Sequence, residues 1–154
     1  MKFAAATATK CTQSAMNPMK DTAEQFFEAC ETGKGWAGCQ RYYYPGATFA
    51  AQVDTLANID TLEAYTDWMQ GLLQLLPDGN AEVRSFAVDA ERQNVAAHAV
   101  FHGTHSGDGG PVPPTGKSAS TDYVYVMDFA GGRIRHMTKI WNDGWALRQL
   151  GWTS

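Results

Sequence analysis

The 154-residue chain contains no basic run. Twelve Lys and Arg are scattered among sixteen Asp and Glu, for a net charge of −4. A nucleic-acid binder needs a Lys/Arg stripe to neutralise phosphates, so nucleic acid is excluded as a partner. The chain also lacks an apolar run of about 18 residues, the length a membrane-spanning helix needs. Cysteine is scarce. Cys11, Cys30 and Cys39 are odd in number and include no Cys-x-x-Cys pair. That pattern points to idle thiols in a reducing, cytoplasmic compartment rather than to a metal or redox site. No internal repeat or charged block divides the chain.

The N-terminal stretch Met1-Lys2-Phe3-Ala4-Ala5-Ala6-Thr7-Ala8-Thr9-Lys10 has one early Lys and then small residues. Its apolar part is short and broken by Thr7 and Thr9. We read residues 1–19 as a poorly anchored lead-in rather than an export signal, and residues 20–154 as one domain. A chain of this size buries roughly 70% of its unfolded surface and needs neither disulfide nor metal to be stable. Apolar residues make up 44%, and the aromatics are seven Phe, six Tyr and five Trp. Aromatic side chains bury large areas and line pockets well.

Periodicity orders the elements. Asp21 and Glu24 form a capping box for a first helix carrying Phe26, Phe27 and Cys30 on one side, ended by Gly33 and Gly35. Trp36 to Tyr43 reads as a short second helix stopped by Pro45-Gly46. Ala47 to Val53 reads as a short strand. Asp60 and Glu63 cap a long helix whose apolar stripe is Leu62, Tyr65, Met69, Leu72 and Leu76, widened by Trp68 and Leu75. After Pro77-Asp78-Gly79 the period becomes alternating. In the first strand Val83, Ser85 and Ala87 oppose Arg84, Phe86 and Val88. A turn follows from Asp89 to Gln93, then strands over Asn94–Thr104, Ser118–Phe129 and Arg133–Trp141, with Ala130-Gly131-Gly132 as a hairpin turn. Asp143 caps a last short helix closed by Gly151. Helices segregated from a meander of strands predict an α+β fold, with a cone-shaped, curved antiparallel sheet wrapped around helices.

Gly103-Thr104-His105-Ser106-Gly107, Pro113-Pro114-Thr115-Gly116-Lys117, Gly132-Arg133-Ile134 and Gln149-Leu150-Gly151 together resemble the motifs of the SnoaL-like polyketide cyclases. These belong to the nuclear transport factor 2-like superfamily, which also holds ketosteroid isomerases, limonene epoxide hydrolases and non-catalytic binding domains. The resemblance spans about residues 20 to 152. It implies a cystatin-like, cone-shaped α+β barrel and usually a homodimer or larger assembly; a pocket for a small apolar or oxygenated ligand and no cofactor are expected. The family's last-strand His-Trp-Asp triplet falls on Met137-Thr138-Lys139, so Lys139 stands at the carboxylate position. The family's second Asp falls on Asn142, with Asp143 next to it. The general-base Asp of ketosteroid isomerases would fall at Ala51. Neither acid–base scheme transfers intact.

The polar candidates divide as follows. His98 and His102 share a strand face about 13 Å apart, at about 3.3 Å per residue, and His105 faces the other way. Zinc ligands must all lie about 2 Å from the ion, so no metal site is expected. His105, at a strand end beside a Gly-rich loop, is either a proton relay or a histidine bound to that loop. Tyr123, Tyr125 and Met127 share one strand face, either lining the cone or packing in core or interface. Lys139, Trp141 and Asp143 share a face of the last strand. Lys139 is either a base or anion ligand in an apolar pocket or a solvated cation, and Asp143 is either its partner or a cap. Phe49, Trp68, Met69, Leu72 and Phe86 complete the expected pocket wall. The expected function is acid–base chemistry on a carbonyl compound, a cyclisation or isomerisation, with His105, Tyr125, Lys139 and Asp143 as donors and relays. The alternative is a non-catalytic binding or assembly domain. An epoxide hydrolase would need a water-activating Asp-Arg-Asp set in the cavity, and the sequence does not assign Arg84 and Asp122 to one.

Overall fold

The computed structural model describes residues 17–153. Residues 1–16, which hold most of the expected lead-in and Cys11, lie outside the described part. Helix α1 spans Pro18–Glu31 and α2 spans Gly35–Cys39, followed by a 3₁₀ turn over Gln40–Tyr42. Strand β1 is Tyr43–Ala51, and a 3₁₀ turn over Asp54–Leu56 leads to helix α3, Leu62–Leu75. Then come β2 (Asn80–Asp89), β3 (Asn94–Thr104), β4 (Ser118–Ala130), β5 (Arg133–Trp141) and helix α4 (Asp143–Leu150). The strands form one curved, unclosed sheet in the order β1-β5-β4-β3-β2. From β2 to β5 it is an antiparallel meander, while β1 lies parallel to β5, so the sheet is mixed at that edge.

Local chemistry moves several boundaries. Asn17, not Asp21, caps α1: its side chain accepts from Lys20 N at 3.1 Å, and Pro18 fills the first helical turn, where its missing N–H costs nothing. The capping box at Asp21 is therefore internal, and Glu24 pairs with Lys20 Nζ at 2.6 Å instead. Thr61, not Asp60, caps α3, accepting from Ala64 N at 3.1 Å. Asn142, not Asp143, caps α4, accepting from Trp145 N at 3.1 Å. Pro45-Gly46 does not end a helix. It lies within β1, an edge strand whose register slips between Tyr43 and Thr48, as an edge position allows. A register shift between Val83 and Ser85 breaks the alternation expected along β2.

Alternation along β3 and β4 decides which face turns inward. Val95, Ala97, Ala99 and Phe101, with Tyr123, Tyr125, Met127 and Phe129, are buried. Small residues oppose large ones across the ladder: Ala97 faces Tyr125 and Ala99 faces Tyr123. That pairing makes room for two phenol rings on the concave face. Helix α1 packs on β2 and β3, and α3 on β1. Their buried stripes, Ala23, Phe26, Phe27 and Cys30 on α1 and Leu62, Tyr65 and Met69 on α3, close the core. The outer face carries exposed hydrogen bonds of His98 to Asp122 and His102 to Glu82, together with Val124, Val126 and Ile140.

Candidate functional site

Lys139 occupies the inner face of β5 and is buried. Its Nζ donates to Tyr65 Oη of α3 at 3.0 Å. Tyr65 Oη in turn meets Tyr125 Oη in a short hydrogen bond. Tyr125 Oη donates to Glu31 Oε1 at 3.0 Å, and Tyr123 Oη donates to the same oxygen. A continuous chain therefore runs Lys139–Tyr65–Tyr125–Glu31 through the middle of the cone. Glu31 Oε2 is buried with no partner.

Rings surround the ammonium. Nζ lies 4.1 Å from the Trp141 ring centroid, 5.2 Å from Tyr65, 5.3 Å from Trp68, 5.4 Å from Tyr123 and 5.9 Å from Tyr125. Ring faces attract a cation and offset part of its lost hydration. Burial nevertheless lowers the Lys139 pKa to about 8, against the pull of Glu31 and Cys30. Burial raises the Glu31 carboxyl above the usual carboxylate range, against the Tyr123 hydrogen bond and Lys139. Its place at the C-terminus of α1 adds the unfavourable end of the helix dipole. Burial first, and Glu31 next, push Tyr65 and Tyr125 far above ordinary phenols and Cys30 far above an ordinary thiol. Burial likewise raises Cys39 to about 12. Both thiols are free and unreactive by that measure.

The interior is nearly filled. Lys139, Glu31, Met69, Leu72, Tyr123 and Trp141 border a void of about 20 Å³, room for one water. A second void of about 30 Å³ shares Leu72, Phe101, Thr121 and Trp141 with it. An open cleft of about 640 Å³ lies between α1, the end of α3 and β2, and another of about 410 Å³ lies beside Ala51, Gln52, Thr138, Lys139 and Trp141. Phe27, Leu73, Val83 and Phe86 form the apolar wall of the larger cleft, and Glu24 and Glu28 its rim. Glu31 borders both that cleft and the inner void.

Of the residues singled out in the sequence, Tyr125 and Lys139 come together, with Tyr123, Trp141, Trp68, Met69 and Leu72 around them. Phe49 stacks on Tyr65 at 4.4 Å and so stands one layer behind. Phe86 lies on the cleft, edge-on to Phe27 at 5.5 Å. Met127 is buried in the core. His105 and Asp143 are not brought to Lys139. His105 Nδ1 accepts from Trp152 Nε1 at 2.8 Å and Thr115 N at 3.4 Å, which puts its hydrogen on Nε2 and ties the Gly-rich loop to the segment after α4. Asp143 Oδ2 accepts from Thr55 N at 3.0 Å and Thr55 Oγ1 at 2.7 Å; these bonds hold its pKa low despite partial burial. Asp122 and Arg84 sit on the outside, paired with His98 and Glu82, and converge on no cavity.

Sequence reasoning missed Glu31. A signal existed: Phe27 and Glu31 are one helical turn apart, so the acidic side chain continues the buried stripe of α1. Tyr65 was read only as part of an apolar stripe, although its hydroxyl is the link between Lys139 and Tyr125.

The model of the SnoaL-like polyketide cyclases matches residues 21–150. The chain belongs to that family. No curated protein matches the chain. Among solved structures it is similar to IdmH, a proposed polyketide cyclase from Streptomyces antibioticus, with 25% identity and a TM-score of 0.69 over 88% of this chain and 99% of that one. It is similar to AclR, a proposed hydroxylase from Streptomyces galilaeus, with 22% identity and a TM-score of 0.72 over 90% of this chain and 83% of that one. A proposed SnoaL-like polyketide cyclase from Jannaschia has 18% identity and a TM-score of 0.72, over 89% and 94%. As a SnoaL-like domain the chain is of a small-molecule, cyclase-type family. No helix among the described residues is long and apolar enough to cross a membrane. The expected last-strand carboxylate is replaced by Lys139, and the buried carboxylate near it comes from α1.

Proposed function

We propose that this SnoaL-like domain is an acid–base enzyme that cyclises or isomerises an apolar carbonyl compound bound in the cleft, with Glu31 as general base. One observation carries the reading: a buried carboxylate that borders the cleft has one oxygen held by two tyrosine hydroxyls and the other without a partner. Raised basicity suits a carboxylate for taking a proton from carbon beside a carbonyl. Tyr123 and Tyr125 fix the carboxylate through Oε1, so that a substrate in the cleft would meet the unpartnered Oε2. The substrate is apolar, because Phe27, Leu73, Val83 and Phe86 wall the cleft. His105 and Asp143 act as structural partners in this reading, through the loop and through Thr55.

Deuterium exchange into 2-tetralone, an apolar ketone with acidic α-hydrogens, tests the proposal. The expected result is exchange above buffer that falls at least a hundredfold in Glu31→Gln with an unchanged circular dichroism spectrum. Binding of the ketone with no exchange in the wild type would favour a non-catalytic binding domain, a reading that the nearly filled interior supports. The partner we propose is a second copy of the chain, seated on the outer sheet face around Val124, Val126 and Ile140, and the compartment is the cytoplasm.

A further inference from the structure

We propose that Lys139 is a positioning residue for Glu31: acting through Tyr65 and Tyr125, it sets the direction of the buried hydroxyl hydrogens so that Glu31 stays a carboxylate with Oε2 free. The inference rests on Glu31 as general base in the reading above and adds the group that keeps it one. No substrate has to reach Lys139.

The order of the hydrogens follows from the donor at one end. A lysine ammonium carries three N–H groups and no acceptor. Tyr65 Oη, 3.0 Å from Lys139 Nζ, therefore accepts there. Its single hydrogen is left for Tyr125 Oη. Tyr125 in turn gives its hydrogen to Glu31 Oε1 at 3.0 Å, and Tyr123 gives a second one to the same oxygen. A proton on Glu31 then has to sit on Oε2, which is buried and has no partner. An unpaired buried donor is costly, so this arrangement disfavours the acid and favours the carboxylate. Each bond in such a chain polarises the next, which carries the effect of the ammonium to its far end.

Glu31 is faced by Cys30 from its own helix, Cys39 from α2, Tyr65 from α3, Tyr123 and Tyr125 from β4, and Lys139 from β5. Of these only Lys139 is a cation. Glu24, paired with Lys20, and Glu28 stand on the cleft rim. Burial raises the Glu31 carboxyl, and the Tyr123 hydrogen bond and Lys139 oppose it. Burial lowers Lys139 to about 8, so below that pH the head of the chain is an ammonium. In Lys139→Met nothing donates to Tyr65. The reverse order of hydrogens then becomes open, with a Glu31 acid donating from Oε1 to Tyr125.

The test follows the carboxylic-acid carbonyl band of Glu31 by infrared titration of the full chain, with Glu31→Gln as the blank, beside the pH profile of deuterium exchange into 2-tetralone. At the wild-type midpoint, Lys139→Met is expected to raise the acid-to-carboxylate ratio about tenfold or more, the effect of one pKa unit. The acid limb of the exchange profile should move to higher pH with it. Tyr65→Phe, which keeps the cation and cuts the chain, should raise the ratio as well. Lys139→Arg, which keeps a donor without an acceptor, should hold the ratio within about twofold. A ratio unchanged in folded Lys139→Met would overturn the inference, even if exchange fell at every pH. A rise in Lys139→Met with none in Tyr65→Phe would overturn the route through the tyrosines. The expected band shifts without any exchange in the wild type would keep the coupling of Lys139 to Glu31 and overturn the acid–base reading.

Discussion

Replacing the two ends of the buried chain together, Glu31→Gln with Lys139→Met, should stabilise the protein while ending its chemistry. The wild type places an ammonium and a carboxylate in the core, linked only through tyrosines. Lowering Lys139 to about 8 corresponds to about 3 kcal/mol lost from stability below that pH, at about 1.4 kcal/mol per pH unit. Glu31, raised by burial, adds a cost of the same sign. Against this, Met cannot donate to Tyr65, a loss of about 1 kcal/mol. Gln keeps a carbonyl oxygen for Tyr123 and Tyr125. The net expectation is a gain of about 1 to 3 kcal/mol at pH 7, or about 2 to 4 °C in Tm per kcal/mol.

The sign with pH follows from the same shift. The Lys139 pKa is depressed in the folded state, so its penalty is complete below about 8 and fades as pH rises toward its unfolded value. The gap between double variant and wild type should therefore narrow from pH 8 upward. Burial, the leading cause of their raised pKa values, persists in the double variant, so the buried tyrosines and Cys30 stay protonated in both folded proteins over this range and contribute little to the difference. Urea titrations followed by tryptophan fluorescence at pH 7, 8.5 and 10 give the gap directly. A double variant more than about 1 kcal/mol less stable than wild type at pH 7 would refute the reasoning, because burial of the two charges would then be net favourable.

Three further outcomes are expected. His105→Phe should lose the Trp152 and Thr115 hydrogen bonds, destabilise by about 1 to 3 kcal/mol, and speed amide hydrogen exchange in the loop 107–116, while deuterium exchange into 2-tetralone per folded molecule stays unchanged. Gly107→Ala would put a Cβ 2.0 Å from the Gln74 carbonyl oxygen, against the end of α3, and should cost about 2 kcal/mol or more by urea denaturation. The wild type is expected to be a dimer in sedimentation equilibrium, and Val124→Asp with Ile140→Asp a folded monomer. A wild-type monomer would refute the outer-face partner.

Most of the fold was legible because it repeats. The alternation over Asn94–Thr104 and Arg133–Trp141 and the leucine-rich period of α3 each carry many redundant positions, so the elements survive a misread residue. Helix starts were less legible. Asn17, Thr61 and Asn142 cap where Asp21, Asp60 and Asp143 were expected, since neighbouring polar residues all have capping chemistry and packing chooses among them. The slips in β1 and β2 were not legible, because a register shift is a relation between two strands.

The amino-acid sequence by itself determined the α+β class, the order of the elements and the presence of Lys139 where a carboxylate was expected. These depend on local period and on motif spacing, which one dimension can hold. Tertiary structure alone decided that Glu31, more than a hundred residues away along the chain, is the carboxylate coupled to that lysine, and that His105 and Asp143 find their hydrogen-bond partners elsewhere. Such pairings depend on where helix α1 ends over the concave sheet, and side chains distant in sequence meet there only once the sheet has curved around them.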